Sequence, residues 1–329
     1  MNDQLFVISS SPHVNSEETI PKIMYGVVLA LVPAMLGGLI FFGINAVLLM
    51  LTCVAACVLT EYVFQRARKK EITVGDGSAI ITGILLALVL PPDFSLLSAI
   101  LGSVVAMGLG KHVFGGLGYN IFNPALVGRA FLQATYPVDM TTWTDPLSRS
   151  FFALSSAPDA VTAATPLAAM KFSGESVAWW KMLFGNTGGS LGETSTVLIL
   201  LGGAYLVYKK YLDWRIPAGF IGTVFLLGTL FWLTNPDQYP QPMFHLFAGG
   251  LMLGAFFMAT DMVTSPVTPV GTWIFGIGAG FLVIIIRLFG GLPEGVMFSI
   301  LIMNAVTPLL NRYTRPKVYG SENLKKEEK

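Results

Sequence analysis

The sequence predicts an all-α integral membrane protein with about ten transmembrane helices. Of its 329 residues, 53% are hydrophobic and 12% are charged, about half the charged fraction of a typical soluble domain. The mean hydropathy is +0.67. The chain also carries 35 glycines, which let helix backbones approach closely in lipid.

The formal net charge of +1 gives no reason to expect nucleic acid as a partner. The two cysteines, Cys53 and Cys57, share one face of an apolar segment, but two thiols alone cannot complete a tetrahedral metal site. We therefore interpret them as small packing residues and expect no metal site.

Ten apolar segments follow one another along the chain. They cover residues 22–42, 45–64, 79–90, 95–110, 124–134, 194–208, 216–234, 244–260, 270–289 and 294–310. Twelve helical residues reach about 18 Å and cannot cross a hydrocarbon core of about 30 Å. Segment 79–90, which ends before Pro91, therefore has two possible forms: a helix that extends beyond its apolar part, or a broken or re-entrant helix. The sequence also leaves open whether segment 95–110 crosses the membrane.

The segments divide the chain into four parts. Residues 1–134 form an N-terminal half with five helices, and 193–311 form a C-terminal half with five more. Between them, 135–192 form the sizeable extramembrane segment, and 312–329 form a charged tail. Five helices per half give the halves opposite orientations, which is typical of inverted-repeat transporters. The echo of Asn123-Pro124 in the stretch from Asn304 to Pro308 favours such a repeat.

The distribution of lysine and arginine predicts the orientation in the membrane. With the N-terminus inside, 15 of the 20 basic residues fall on the cytoplasmic side, Lys111 among them. Both termini are then cytoplasmic. Segment 135–192, including Thr165, lies outside the cytoplasm.

Residues 159–165 are a short stretch with small side chains. Thr165 precedes Pro166, so its backbone is biased towards an extended conformation. A threonine followed by proline is typical of a helix N-cap. The small neighbours also leave the hydroxyl open to a bulky group, so the residues alone permit either role.

Four further positions are candidates for binding or transport. Asn120 and Asn123 follow a Gly-rich turn, and their amides suit either turn formation and capping or a ring with mixed donors and acceptors. Asp261 ends an apolar segment, where an ionisable group is a functional candidate, or a helix-end cap facing water. Arg129 lies inside a segment and could pair with a carboxylate, for which Glu61 is one candidate.

Several motifs resemble the family formed by the D subunit of the Rnf complex, the ion-translocating ferredoxin:NAD oxidoreductase, and by its relative, the B subunit of the sodium-translocating NADH:quinone oxidoreductase. The matching stretches span nearly the whole chain and comprise residues 11–13, 76–83, 115–125, 159–165 and 257–261. The length resembles the Rnf protein more than its relative. The chain departs from the family pattern at Ala160 and Ala163, where glycine is usual.

The resemblance implies a covalent FMN, attached by a flavin transferase through a phosphoester to Thr165. Asp159 and Thr162 belong to the same motif. It also implies a non-covalent riboflavin at Asn120 and Asn123, and a role for Asp261 in the Na⁺ or H⁺ path with Phe257 as a steric gate. Instead of pairing with a carboxylate, Arg129 could steady a flavin.

The sequence is thus interpreted as a subunit of an ion-translocating electron-transport complex in the bacterial cell membrane, inactive alone. It has neither a dinucleotide-binding pattern nor a ferredoxin-type cysteine pattern, so partner subunits are expected to bind NAD and iron–sulfur clusters. A second flavin-carrying subunit is expected as well. A flavin-free channel or transporter with the same repeats is the alternative function class.

Overall fold

The computed structural model describes residues 18–146, 162–185, 187–193 and 195–316. Four of its helices are long and apolar enough to cross a membrane. They are α1 (Ile20–Phe42), α2 (Ile44–Ala67), α9 (Arg215–Thr234) and α12 (Pro269–Phe289). The prediction of a multi-pass, all-α membrane protein is confirmed at this level.

The other helices are shorter, and several continue as π-helical turns. In the first half they are α3 (Ser78–Leu88), α4 (Leu96–Met107, continued by Gly108–His112) and α5 (Pro124–Thr135). The middle segment holds α6 (Pro166–Ala168, continued by Ala169–Ser173) and α7 (Trp179–Phe184). The second half adds α8 (Thr196–Tyr208), α10 (Pro242–Phe247), α11 (Leu251–Leu253, continued by Gly254–Met258) and α13 (Val296–Tyr313).

Two short strands of two residues each pair within the middle segment. Strand β1 (Trp143–Thr144) is antiparallel to β2 (Thr162–Ala163), with Thr144 opposite Thr162. This pairing holds the start of the Thr165 segment against the chain that leaves α5. The all-α class therefore has one small local exception.

Helix boundaries follow the local chemistry of the chain. The side chain of Thr19 caps α1 by accepting a hydrogen bond from the backbone of Lys22. Gly43 has φ of +67°, which a residue with a side chain rarely adopts, and it separates α1 from α2. Thr268 caps α12 in the same way as Thr19 caps α1, by accepting from the backbone of Gly271 at 3.1 Å.

Helix α3 ends inside the protein rather than at its surface. Its eleven residues reach about 16 Å, which is too short to cross the membrane. The carbonyl groups at its end are satisfied by the backbone of the segment before α8, where Gly192 donates to Leu88 at 2.7 Å and Leu191 donates to Leu90 at 3.2 Å. The sequence left two possibilities for segment 79–90, a longer helix and a broken or re-entrant one, and this geometry agrees with the second.

The predicted segment 244–260 is also broken. Helix α10 ends at Phe247, and the chain turns at Gly249, which has φ of +67°, before α11 begins. The guanidinium group of Arg287 donates to the carbonyl oxygen of His245 and, at 2.8 Å, to that of Ala248. A buried cation on α12 thus supplies the donors that the open end of α10 lacks.

Small residues allow the long helices to pack closely. A side chain at Gly202 of α8 would meet the backbone oxygen of Ala30 in α1, and one at Gly276 of α12 would meet that of Ile216 in α9. Close approach of this kind is typical of helix contacts in membranes. Large apolar side chains such as Leu29, Leu51 and Leu226 remain exposed on the long helices, as expected for a surface that faces lipid.

Candidate functional site

One cavity, which we call the Thr165 cavity, lies between the middle segment and the second half. Its volume is about 480 Å³, which is within the usual range of about 300–1,000 Å³ for small-molecule sites. Its wall combines aromatic rings with buried charges. The residues used below are Arg129, Trp143, Thr165, Phe172, Glu193, Phe247 and Glu294.

Thr165 is the N-cap of α6, and it also lines the cavity. Its Oγ1 accepts a hydrogen bond from the backbone N–H of Ala168 at 3.1 Å, and Pro166 occupies the first helical turn. Its φ of −62° and ψ of 152° are extended, as the following proline predicts. The capping role is therefore observed. The residue is 9% exposed, and Ala164 beside it is exposed.

The other motif residues are less fully defined. Thr162 lies in β2, two residues before the exposed Ala164. Asp159 lies outside the described residues. The motif therefore enters the cavity wall from the β1–β2 pairing and ends at the cap of α6.

The Thr165 cavity suits a planar ring with an attached phosphate. Trp143, Phe172 and Phe247 offer ring surfaces for stacking. A phosphate on the Thr165 hydroxyl would lie beside the backbone N–H of Ala168, which donates to the hydroxyl oxygen at 3.1 Å. Residues present in the cavity thus fit a flavin phosphate.

Lys171 fixes the segment that carries Thr165. Its ammonium group donates to the carbonyl oxygens of Arg287 at 2.9 Å and Leu292 at 3.0 Å, and to that of Gly290. These oxygens lie at the C-terminal end of α12 and in the turn after it, where a cation is favoured. Burial lowers the pKa of Lys171. The contact ties the cavity wall to α12.

A second cavity, which we call the Asn120 cavity, lies between the two halves. It brings together four residues that the sequence singled out separately: Asn120, Asn123, Phe257 and Asp261. Its volume is about 90 Å³, well below the range of small-molecule sites. A flavin ring would enter only if the walls moved apart.

The two asparagines differ in what they can offer. Asn123 caps α5 by accepting from the backbone of Ala125 and Leu126, and its amide nitrogen donates to the carbonyl oxygen of Met258 at 3.2 Å. Asn123 therefore connects the two halves, and both its amide oxygen and its amide nitrogen are already hydrogen-bonded within the protein. Asn120 donates to Phe122, while its Oδ1 is buried with no hydrogen-bond partner among the described residues.

Asp261 forms a tight turn at the end of the broken segment. Its carboxylate accepts from the backbone of Val263 at 3.3 Å and from the hydroxyl of Thr264 at 3.2 Å. Phe257, in the preceding π-helical turn, is buried against Gly202 of α8. The carboxylate of Asp261 thus stabilises the turn that follows it, and it also lines the Asn120 cavity.

Sequence reasoning missed a buried ion pair beside the Asn120 cavity. The ammonium group of Lys111 contacts Glu61 and the hydroxyl of Ser78, which in turn donates to Asp76 at 2.6 Å. Lys111 was counted among the cytoplasmic loop residues, but its side chain is only 2% exposed. An acid inside an apolar segment, as at Glu61, was the available signal.

The suggested pairing of Arg129 with Glu61 is wrong. Arg129 forms an ion pair with Glu294 and lies 3.9 Å from Glu193, whereas Glu61 is taken by Lys111. Burial raises the pKa of Glu193 to about 7, and the charge of Glu294 adds to this while Arg129 opposes it. Residues 165 positions apart, such as Arg129 and Glu294, have no local pattern that links them.

Cys53 and Cys57 are buried in the helix core, as predicted for packing residues. Within the described part of the chain, no group of three or more histidine, cysteine or acidic side chains could hold a metal ion.

Comparison with known proteins gives a consistent result. The model of the NQR2, RnfD, RnfE family matches residues 7–320. The D subunit of a proton-translocating ferredoxin:NAD(+) oxidoreductase complex from Clostridium ljungdahlii is 50% identical over 96% of this chain and 97% of its own. The Na(+)-translocating counterpart from Acetobacterium woodii is 44% identical, and both chains are covered completely.

The D subunit of an ion-translocating oxidoreductase complex from Escherichia coli is 36% identical over 96% of this chain and 99% of its own. These relatives are subunits of ion-translocating oxidoreductase complexes, and their names include both proton and sodium translocation. The family match covers the first half, the middle segment and the second half alike. The chain therefore belongs to the NQR2, RnfD, RnfE family.

Proposed function

We propose that this protein is the D subunit of an ion-translocating ferredoxin:NAD oxidoreductase complex of the Rnf type, in which it relays electrons through FMN bound covalently to Thr165. The observation that carries the proposal is the position of the Thr165 hydroxyl in the wall of a cavity with aromatic rings and charges. Relatives over the full chain length support the complex to which it belongs.

The attachment site follows from the residues around Thr165. Its hydroxyl oxygen would form the phosphoester with FMN, and a flavin transferase would supply the FMN. Asp159 and Thr162 complete the recognised motif. Arg129, in the same cavity, provides a fixed positive charge. Bound flavin supplies the electron chemistry, while the chain holds the ring and sets its electrostatic surroundings.

We propose the Asn120 cavity as the site of a second, non-covalent flavin. Asn120 is the group best suited to contact the ring, because its Oδ1 has no hydrogen-bond partner among the described residues. Asn123 would act by holding the wall through Met258. Occupation requires the walls to separate, so this site would form when the two halves move relative to each other.

The ion path is proposed to pass Asp261, with Phe257 as a gate. Both residues line the cavity between the halves, and Asp261 offers a carboxyl group of the kind that binds cations. Coupling of transport to electron transfer would use the same movement of the halves. The chain itself leaves open whether the ion is Na⁺ or H⁺.

We further propose ten membrane-inserted segments in two inverted five-helix repeats. The helix contacts support this repeat. In the first half α2 packs on α3 and α4, and in the second half α9 packs in the same way on α10 and α12. Likewise, α4 packs on α5 in the first half, and α12 packs on α13 in the second. The first helices of the two halves, α1 and α8, pack on each other.

The proposed location is the bacterial cell membrane, with cytoplasmic termini and with Thr165 on the extracytoplasmic side. Partner subunits would hold NAD, the iron–sulfur clusters and another flavin. This assignment rests on the distribution of basic residues and on the complexes to which the relatives belong.

Fluorescence of the denatured protein in a gel under ultraviolet light tests the covalent flavin. We expect a fluorescent band from cells that contain the flavin transferase, and its loss in Thr165→Ala. Thr141→Ala is the matched control, since Thr141 lines the same cavity and its hydroxyl already donates to Pro137. A wild-type band without fluorescence would favour the flavin-free transporter.

A further inference from the structure

A second feature of the Thr165 cavity is a buried acid whose carboxylate oxygens have few hydrogen-bond partners among the described residues. The side chain of Glu193 is 8% exposed. Its Oε2 accepts a long hydrogen bond, 3.5 Å, from the backbone of Ser190, and its Oε1 has no hydrogen-bond partner among the described residues. Burying an ionised carboxylate with so few hydrogen bonds costs free energy, and burying the protonated carboxylic acid costs less.

The cation nearest to Glu193 is already engaged. Arg129 lies 3.9 Å from Glu193 through Nη1, but its Nη2 forms the short ion pair with Glu294. Arg129 is itself 5% exposed, and its Nε has no partner in the described part of the chain. One guanidinium group thus serves two acids.

The two acids face each other across a glycine. A side-chain carbon at Gly250 would lie 3.0 Å from Oε1 of Glu294 and 3.3 Å from Oε1 of Glu193. Because residue 250 is a glycine, no side chain at this position separates the two carboxylates. Like charges that share a buried space favour the uptake of one proton.

The charged groups around Glu193 come from three elements. Arg129 lies on α5, Glu294 precedes α13, and Arg287 of α12 lies close to Gly249 and Glu294 but donates to backbone carbonyls. Residues Leu88 to Leu90, which the Glu193 segment contacts, add no titratable group. With both acids ionised these four groups sum to zero, and with Glu193 protonated they sum to +1.

We propose that Glu193 is a proton-binding site of the Thr165 cavity, and that it takes up a proton when the cavity gains a negative charge. The second part rests on the proposed function. An electron from an iron–sulfur or flavin centre of a partner subunit adds one negative charge to the flavin. One proton from the aqueous phase then forms an O–H bond at the Glu193 carboxylate, and it leaves when the electron leaves.

Infrared difference spectra of the full-length, flavin-free protein test the site itself. The protein would be produced without the flavin transferase and titrated between about pH 5 and pH 9, a range that brackets the midpoint near 7. We expect a carboxylic acid band that disappears near neutral pH. Glu193→Gln removes this titration. Glu294→Gln moves it to lower pH, because Glu193 loses a neighbouring negative charge and gains Arg129.

Glu175→Gln is the matched control. It removes an exposed carboxyl from the same segment and leaves the titration in place. The proposal is overturned if the wild type shows no such band, if the band persists in Glu193→Gln, or if Glu294→Gln does not shift it. The shift in Glu294→Gln also keeps the test decisive if Glu193→Gln folds poorly.

Reductive titration of the flavin-carrying protein tests the link to the electron. From the pH dependence of the flavin midpoint potential, we expect the wild type to take up one more proton per electron than Glu193→Gln above neutral pH. Equal proton uptake overturns the link. If the wild type carries no covalent flavin, both the proposed function and the coupling of Glu193 protonation to flavin reduction are refuted. The infrared titration then still tests whether Glu193 binds a proton.

Discussion

The ammonium nitrogen of Lys111 lies 2.5 Å from Oε1 of Glu61, and both side chains are buried, at 2% and 1% exposure. Breaking such a pair leaves one buried charge without compensation, which costs about 3–5 kcal/mol. We expect Lys111→Met to destabilise the protein by that amount. The free energy of unfolding in detergent measures it.

The double variant Lys111→Met with Glu61→Leu supplies the control. Removing both charges avoids the uncompensated one, so its loss of stability should be smaller than the sum of the two single losses. Additive losses would show that the two side chains do not depend on each other.

Lys171 gives a prediction for the middle segment. Because its ammonium group donates to several carbonyl oxygens at the end of α12, Lys171→Met should lower stability by about 1.5–3 kcal/mol. Lys181→Met is the matched control, since Lys181 is exposed on α7 of the same segment. Equal melting temperatures for the two variants would contradict the anchoring role of Lys171.

The raised pKa of Glu193 predicts how stability depends on pH. Its pKa is about 7 in the folded state, against 4.5 as the ordinary value. The favourable contribution is therefore complete below about pH 4.5 and is lost as the pH rises to about 7, a change on the order of 3 kcal/mol. Melting temperatures across this range measure it, and Glu193→Gln should flatten the curve. A wild-type curve that rises over the same interval would refute the assignment.

Asp261 gives a prediction for transport. In the assembled complex, Asp261→Asn should reduce ion transport by at least about fivefold, the lower end of typical coupling between sites. Asp213→Asn is the control, because Asp213 pairs locally with Arg215 at 3.1 Å. Ion flux into vesicles measures both. Unchanged transport in Asp261→Asn would remove this residue from the path.

Local chemistry explains the parts of the fold that could be predicted. Thr165 before Pro166 and Asn123 before Pro124 are both helix caps, as their residue types indicate. The shortness of the segment that ends near Pro91 left two possibilities, a longer helix or a broken one, and the contact of Gly192 with Leu88 favours the broken helix. For the two caps, the deciding interaction lies within a few residues along the chain.

Contacts between distant residues could not be predicted in this way. Nothing in the pattern around Arg129 indicates Glu294 rather than Glu61, because either acid could reach it in some fold. Glu193 lies among glycines and polar residues that resemble an ordinary connection. Its significance depends on two side chains from other elements, whose positions only the tertiary structure provides.

The closure of α3 by Leu191 and Gly192 has a consequence for biogenesis. During translation, α3 would enter the bilayer long before these two residues leave the ribosome. Until they arrive, the carbonyl groups at its end lack these donors, which is unfavourable wherever water is excluded. The first half therefore completes its fold only after synthesis of the connection to the second, so maturation of the two halves is coupled in time.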